Sequence, residues 1–184
     1  MQNARKQFVA VFGLAALASV ALAGSNPVVG GKEMLPNKDI IDNAVNSADH
    51  TTLVAAVKAA DLVTTLKGAG PFTVFAPTNA AFAKLPAGTV ESLLKPENKA
   101  TLAKILTYHV VAGKVMAADL VKMIGEGKGT TSFKTVAGAS LSAMLVDGKV
   151  VLKDEKGLTS TVTIADVNQS NGVIHVVDAV LLPN

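Results

Sequence analysis

The sequence predicts an α+β fold in which most of the helices precede most of the strands. Apolar residues recur every three or four positions through the first half of the chain, which is the period of a helix packed on one face. In the second half, short β-branched runs are separated by glycine-rich turns, a pattern typical of strands. One of these turns, Asp147-Gly148, strongly indicates a two-residue hairpin.

Four stretches of the first half follow the helical period. The first places Ile40, Ile41 and Ala44 on one face, and Gly68 ends the second. These stretches are residues 38–48, 51–68, 78–86 and 87–109, the last divided into two helices by Pro96. Between the second and the third, residues 71–77 alternate as a strand that Pro77 ends.

The second half contains one brief helix and several predicted strands. The helix begins at Ala117 and gives way to a glycine loop. The predicted strands are residues 108–115, 130–136, 140–146, 149–154, 160–167 and 172–182. Asn168 opens an N-glycosylation sequon, but we favour the interpretation of this stretch as an ordinary polar loop.

Residues 1–23 have the pattern of a secretory signal peptide. Arg5 and Lys6 precede an apolar run that ends in Ala21-Leu22-Ala23. The two alanines provide the small residues that signal peptidase requires at the −3 and −1 positions of its cleavage site. The run is shorter than the ~20 residues that a membrane span requires. We therefore expect a secreted or periplasmic protein with no membrane span after cleavage. The remainder predicts a flexible lead-in at 24–37 and a single domain at 38–184.

The composition after residue 23 excludes several classes of function. This part has 15 lysines, no arginine and 14 acidic residues, so its net charge is only +1. A nucleic-acid-binding domain requires a basic patch with stacking rings, and both features are lacking in the sequence. The absence of cysteine removes disulfides, thiolate metal ligands and thiol catalysis.

The three histidines do not form a recognisable metal site or catalytic motif. His50, His109 and His175 are far apart in the sequence and no pair has helical ligand spacing. His109 and His175 both precede Val-Val, but the residues around them do not match, so they are not halves of a repeat. Residues 125–130, GEGKGT, lack the uninterrupted Gly-Lys-Ser/Thr of a phosphate-binding loop. We predict no metal site and no cofactor.

His175 and Asp178 are predicted to be buried polar groups. Both faces of residues 172–182 are apolar, which is typical of a strand covered on both sides. A buried imidazole or carboxylate must find hydrogen-bond partners or it destabilises the fold. His109, in contrast, lies where a helix meets a strand, and we expect it to be half exposed.

Three blocks of the sequence together resemble the fasciclin domain family. The blocks are GPFTVFAPTNAAFAKLP at 70–86, LTYHVVAG at 106–113 and SNGVIHVVDAVLLP at 170–183, in the order and at about the spacing of the family. The resemblance covers the chain from Lys38 to its end, and a single domain behind a cleaved signal peptide resembles the small secreted bacterial members. It implies a β-sheet wedge packed against several helices, and an extracytoplasmic adhesion or interaction module without catalysis.

The resemblance also assigns roles to particular residues. Thr78, Asn79, His175 and Asp178 belong to the signature blocks and are expected to be structural. By their chemistry, Thr78 and Asn79 can bond backbone groups and so lock the turn from strand to helix. In animal members the Tyr-His block is tied to cell-surface recognition, which implies a binding role for Tyr108 and His109. The acidic-plus-isoleucine motif that accompanies it in those proteins is not recognisable here.

The sequence therefore supports three hypotheses about function. The favoured one is a non-enzymatic module that binds a protein or glycan of the cell surface, envelope or matrix. The second is a hydrolase that uses His109 or His175 with Asp166 or Asp178, which requires an accessible imidazole. The third is a carrier of a small apolar ligand, which requires a large lined cavity. No oligomeric state is predicted.

Overall fold

The chain has a mixed α+β architecture, as the sequence predicts. A computed structural model describes residues 26–184, and the predicted signal peptide at 1–23 lies outside the described residues. Helices dominate up to Tyr108, and a mostly C-terminal sheet follows. None of the helices in the described part of the chain is long and apolar enough to cross a membrane.

The helices lie close to their predicted positions. Residues 26–184 form seven α-helices: α1 (Ile40–Asn46), α2 (Thr51–Ala59), α3 (Val63–Leu66), α4 (Asn79–Ala83), α5 (Thr89–Leu93), α6 (Lys99–Tyr108) and α7 (Ala117–Glu126). Short 3₁₀ turns at Ala48–His50 and Pro96–Asn98 precede α2 and α6. The stretch predicted as one helix at 51–68 is two, because Asp61 adopts a left-handed φ of 60° between them.

The strands form one small hairpin and one large sheet. They are β1 (Val28–Val29), β2 (Lys32–Glu33), β3 (Phe72–Pro77), β4 (Val110–Ala112), β5 (Thr130–Lys134), β6 (Ser140–Val146), β7 (Lys149–Lys153), β8 (Thr159–Gln169) and β9 (Gly172–Val177). β1 pairs with β2, and the other seven form a sheet in the order β4-β3-β9-β8-β7-β6-β5. Only β3 and β9 pair in parallel within this sheet. Because β8 extends to Gln169, the sequon residue Asn168 lies in a strand and not in a loop.

The predicted hairpin at Asp147-Gly148 is confirmed. These two residues connect β6 to β7 and have φ values of 50° and 75°. Two successive positive φ angles define the turn that matches the natural twist of a two-stranded ribbon. The turn sets the register in which Val146 faces Lys149.

Two apolar clusters lie on either side of this framework. The larger one lies between helices α1, α2 and α6 and the central strands β3 and β9. The smaller one lies between α7 and the inner face of β6 and β7, where Leu120 and Ile124 meet Leu141 and Leu152. Helices therefore cover one face of the sheet at β3 and β9 and the opposite face at β6 and β7.

The expectation of a flexible lead-in at 24–37 is wrong for its described part. Val29 and Met34 are only 3% and 2% exposed and belong to the larger cluster. Gly30 accepts a hydrogen bond from the Ala48 amide at 3.3 Å, and a Cβ at Gly30 would lie 2.4 Å from Ser47 Oγ. The two apolar side chains fill space beside α1, which no local sequence pattern indicates.

The last strand is shorter than predicted. β9 ends at Val177, so residues 178–182 are not part of it. Asp178 is consequently not buried as expected, and its side chain is 41% exposed. Its Oδ1 accepts a hydrogen bond from the Thr161 amide at 2.7 Å. The carboxylate therefore serves as the acceptor for a β8 amide just beyond the end of β9.

Candidate functional site

The three blocks that the sequence singles out meet in adjacent strands. β3 from the first block lies between β4 from the middle block and β9 from the last. Phe72 faces Ala112 on one side, and Phe75 faces His175 on the other. The blocks therefore form one continuous unit at the centre of the molecule, although as many as 100 positions separate them in the sequence.

Thr78 and Asn79 make the hydrogen bonds expected at the corner after β3. Thr78 Oγ1 accepts from the Ala81 amide at 3.2 Å and caps α4. Asn79 Oδ1 accepts from the Thr52 amide at 3.0 Å, while its Nδ2 donates to the Ala48 carbonyl at 2.9 Å. The amide thus bridges the corner to the first turn of α2.

His175 is fully buried in β9, as predicted. Its Nε2 donates to the Val115 carbonyl at 2.8 Å, and its Nδ1 accepts from the Asp166 amide at 3.3 Å. The ring stacks on Phe75 with 5.6 Å between centroids. Burial lowers the pKa of His175, so we assign the neutral tautomer that carries its proton on Nε2.

His109 is also buried, so the expectation of a half-exposed side chain is wrong. It is 2% exposed. Its Nδ1 donates to the Ile105 carbonyl at 2.9 Å, and its Nε2 accepts from the Leu181 amide at 3.0 Å. Burial lowers the pKa of His109 to about 4. The physical reason for the burial is the C-terminal segment, which covers the ring from a position 72 residues away.

Tyr108 lies in the core beside His109. Its ring is 0% exposed, and its hydroxyl donates to the Ser140 carbonyl at 2.8 Å. Burial raises the pKa of Tyr108 to about 12, so the phenol is protonated at neutral pH. Tyr108 and His109 present no surface to a partner in the folded domain. Their contacts join α6 to β6 and to the C-terminal segment.

The arrangement does not supply acid–base or metal chemistry at these residues. In both His109 and His175 one ring nitrogen donates and the other accepts, which leaves neither a free lone pair nor a free N–H. His175 contacts the backbone amide of Asp166, whereas the Asp166 carboxylate accepts from the Ala117 amide at 2.6 Å. Among residues 26–184 no group of three or more histidine, aspartate or glutamate side chains could hold a metal ion.

His50 lines an enclosed apolar cavity in the larger cluster. Its Nδ1 bonds Ser47 Oγ at 2.9 Å, and its Nε2 has no partner of hydrogen-bonding geometry among the described residues. Burial lowers the pKa of His50. The cavity measures about 40 Å³, and Met34, Ile41 and Val57 are among its walls. This volume suits one or a few water molecules and gives no support to a carrier of an apolar ligand.

Sequence reasoning missed Asn171, a buried amide that makes three hydrogen bonds to backbone groups. Its Oδ1 accepts from the Ile40 amide at 3.1 Å, and its Nδ2 donates to the carbonyls of Leu66 and Gly68 at 2.7 and 3.1 Å. These bonds tie the β8–β9 turn to α1 and α3. The Asn-Gly pair signals a turn, but nothing in the local pattern shows that this side chain faces inward.

Comparisons with known proteins agree with this architecture. The sequence profile of the fasciclin domain matches residues 48–183. The chain is 56% identical over 144 residues to Protein sll1483 of Synechocystis sp., covering 78% of this chain and 73% of that protein. It is 37% identical over 145 residues to the immunogenic protein MPT70 of Mycobacterium tuberculosis, covering 76% and 66% of the two chains.

The fold is shared with a solved structure. It is a FAS1 domain pair from the insect cell adhesion molecule fasciclin I, with a TM-score of 0.70 and 21% sequence identity. The match covers 80% of this chain and 51% of that one, so this chain spans about half of the domain pair. At this level of identity the likeness shows the fold alone.

Proposed function

Because this chain belongs to the fasciclin domain family, we propose that it is an extracytoplasmic interaction module that binds a cell-surface, envelope or matrix component and catalyses no reaction. The observation that carries the proposal is the family match over residues 48–183. Fasciclin domains are typical of adhesion and extracellular proteins.

The proposed location is outside the cytoplasm, either secreted or periplasmic. The signal-peptide pattern at 1–23 supports export. A relative that is 33% identical over 167 residues bears the name cell surface glycolipoprotein MPB83, from Mycobacterium bovis. Export also suits a chain without cysteine, because its folding is then independent of the redox state of the compartment.

A non-catalytic role is supported by the chemistry of the buried histidines. A general base must contact its substrate with a free lone pair. Nε2 of His109 and Nδ1 of His175 each accept a backbone N–H, and both rings lie inside the domain. The hydrolase alternative therefore has no accessible imidazole at either residue.

Affinity capture tests the proposal. The domain beginning at residue 24 is immobilised and exposed to an envelope extract of the host organism, beside an unrelated exported domain of similar size and charge. We expect the domain to retain a protein or a polysaccharide that the control does not retain. Retention of nothing beyond the control would contradict the proposal.

A further inference from the structure

Strands β5 to β8 leave one face of the sheet open to solvent. The opposite face of β6 and β7 packs on Leu120 and Ile124 of α7. We define the lysine face as this side of β5–β8, whose polar side chains include Lys134, Lys149, Lys153, Ser132, Ser142 and Thr161. The same register also places Met144, Val146 and the buried Val151 on this side. Directly paired residues share one side of a sheet, so the cross-strand register determines this set.

The register places hydroxyl groups between the lysines. Ser132 faces Ser142 across β5 and β6, and Ser142 faces Lys153 across β6 and β7. The two serine Oγ atoms lie 3.2 Å apart. The two serine hydroxyls therefore lie on the side of the face near Lys134 and Lys153, whereas Met144 faces Val151 between them and Lys149.

The charge of this region differs from that of the rest of the chain. Residues 128–163 contain five lysines and three acidic residues, whereas the other described residues contain ten lysines and eleven acidic residues. Of the three acidic residues, Asp154 is buried and accepts from the backbone amides of Lys156 and Leu158. Glu155 accepts from the Ser140 amide, and Asp147 lies in the hairpin turn. None of them is a residue of the lysine face.

The ammonium groups of the lysine face are free of ion pairs. In the described part of the chain, lysine–carboxylate pairs involve Lys67, Lys84, Lys95 and Lys99, which belong to the helical half. Lys134, Lys149 and Lys153 are exposed and make no such pair within residues 26–184. An unpaired cation is available to an external anion without first breaking an internal contact.

The spacing of the lysines suits a ligand with repeated charges. Lys149 and Lys153 are four residues apart on one strand, which is about 13 Å at the rise of a β-strand. Lys134 lies two strands from Lys153, which is about 10 Å across the sheet. The three lysine positions are therefore spread over about 13 Å, which matches a chain that carries an anion on successive units.

The surface chemistry favours a polysaccharide among polyanions. Serine and threonine hydroxyls donate and accept hydrogen bonds, as sugar hydroxyls do. The chain has no tryptophan, and its single tyrosine is buried, so Trp and Tyr rings are not offered for stacking on neutral sugars or bases. It has no arginine after residue 5, so an anion bound here is held by lysine ammonium groups and not by a bidentate guanidinium fork.

We propose that the lysine face binds an anionic polysaccharide of the cell envelope, built of uronate or sulfated sugars. The inference rests on the proposed function and names both the surface and the class of partner. Its ligand is held by charge at three lysines and by hydrogen bonds to the hydroxyls between them.

Binding to polygalacturonate and to dextran sulfate, with neutral dextran as the blank, tests the proposal. The test variant is K134Q/K149Q/K153Q. The control variant K32Q/K58Q/K122Q removes the same charge from three exposed lysines elsewhere on the domain. We expect the unmodified domain to bind at least one polyanion, more weakly as salt rises. The test variant should lose about tenfold or more in affinity, and the control less than about twofold.

Four outcomes would overturn the proposal. The first is no binding to either polyanion, and the second is equal binding to neutral dextran. The third is an equal loss of affinity in the test and control variants, and the fourth is a loss of affinity when the hairpin tip is changed in place of the lysines. The tip is probed with L145S/V146S and with vesicles of phosphatidylglycerol, because a membrane-binding surface would use its two exposed apolar residues. If polyanion binding fails while envelope capture still retains a protein, the proposed function stands and only the lysine face is refuted.

Discussion

The block strands β4, β3 and β9 and the lysine face belong to one sheet but use their polar residues in opposite ways. His175 in β9 and His109 immediately before β4 are buried, and each ring nitrogen bonds a backbone group. On the lysine face, Lys134, Lys149 and Lys153 are exposed and unpaired within the described residues. The recognisable motifs therefore maintain the fold, and the surface available to a partner lies where the sequence has no motif.

The largest expected effect is on stability, at Asn171 beside the block strands. Asn171→Ala removes hydrogen bonds to Ile40, Leu66 and Gly68 and leaves their backbone groups without these partners. We expect the free energy of unfolding to fall by about 4 kcal/mol, measured by urea denaturation. Asn98→Ala, at an exposed turn, is the control and should cost less than about 1 kcal/mol. Equal losses in the two variants would show that Asn171 has no special structural role.

The second effect is a loss of stability in acid, centred on His109. Its pKa is about 4 in the folded domain, against a usual 6.5. As pH falls from 6.5 to 4, the unfolded chain takes up a proton that the folded domain excludes, so stability falls with pH. Above pH 6.5 this contribution is fully present, and by pH 4 about 3 kcal/mol is lost.

Urea denaturation between pH 7.5 and pH 4 measures this loss. His109→Gln keeps a polar side chain but removes the titrating group, so its stability should depend less steeply on pH than that of the unmodified domain. The buried His50 and His175, whose pKa values are also lowered, should contribute the remaining slope. An identical slope in the variant would contradict the burial of His109.

A smaller effect is expected at the corner after β3. Thr78→Ala removes the cap that accepts from the Ala81 amide and should cost about 1 kcal/mol or more. Thr78→Ser keeps the oxygen and should cost less than half as much. An unchanged denaturation midpoint in Thr78→Ala would reject the hypothesis that Thr78 locks this corner.

The smallest effect on stability is expected at the lysine face itself. K134Q/K149Q/K153Q removes exposed side chains without ion pairs, so the free energy of unfolding should change by no more than about 0.5 kcal/mol. The same denaturation experiment measures it. A loss above about 2 kcal/mol would mean that these lysines are structural, which would remove the contrast between the two regions.

Local patterns predicted most of the architecture. The spacing of apolar residues and the turn residues between them located the helices and the strands. The Asp147-Gly148 pair located the β6–β7 hairpin. Each of these features is determined by residues that are close together in the sequence. The blocks also indicated the corner at Thr78. His175 was predicted to be buried because both faces of its strand are apolar.

What the sequence could not show depends on distant contacts. Val29 and Met34 are buried in the larger cluster, where they line one cavity with residues of α1 and α2, and His109 Nε2 accepts a hydrogen bond from the distant Leu181 amide. The alternation of side chains along β5 places Lys134 and Ser132 on one side of the sheet. Only the pairing of β5 with β6 and of β6 with β7 brings Lys153 onto the same surface. Each of these features becomes visible only when the strand order and register are known.

An NMR titration of the isotopically labelled domain with oligogalacturonate tests the central claim most directly. One experiment shows whether the ligand contacts the lysine face or the block strands. We predict amide shift changes in β5–β8, largest near Ser132, Ser142 and Lys153, and none at Thr78, His109 or His175. Shift changes concentrated at the block strands, with β5–β8 unaffected, would contradict the account.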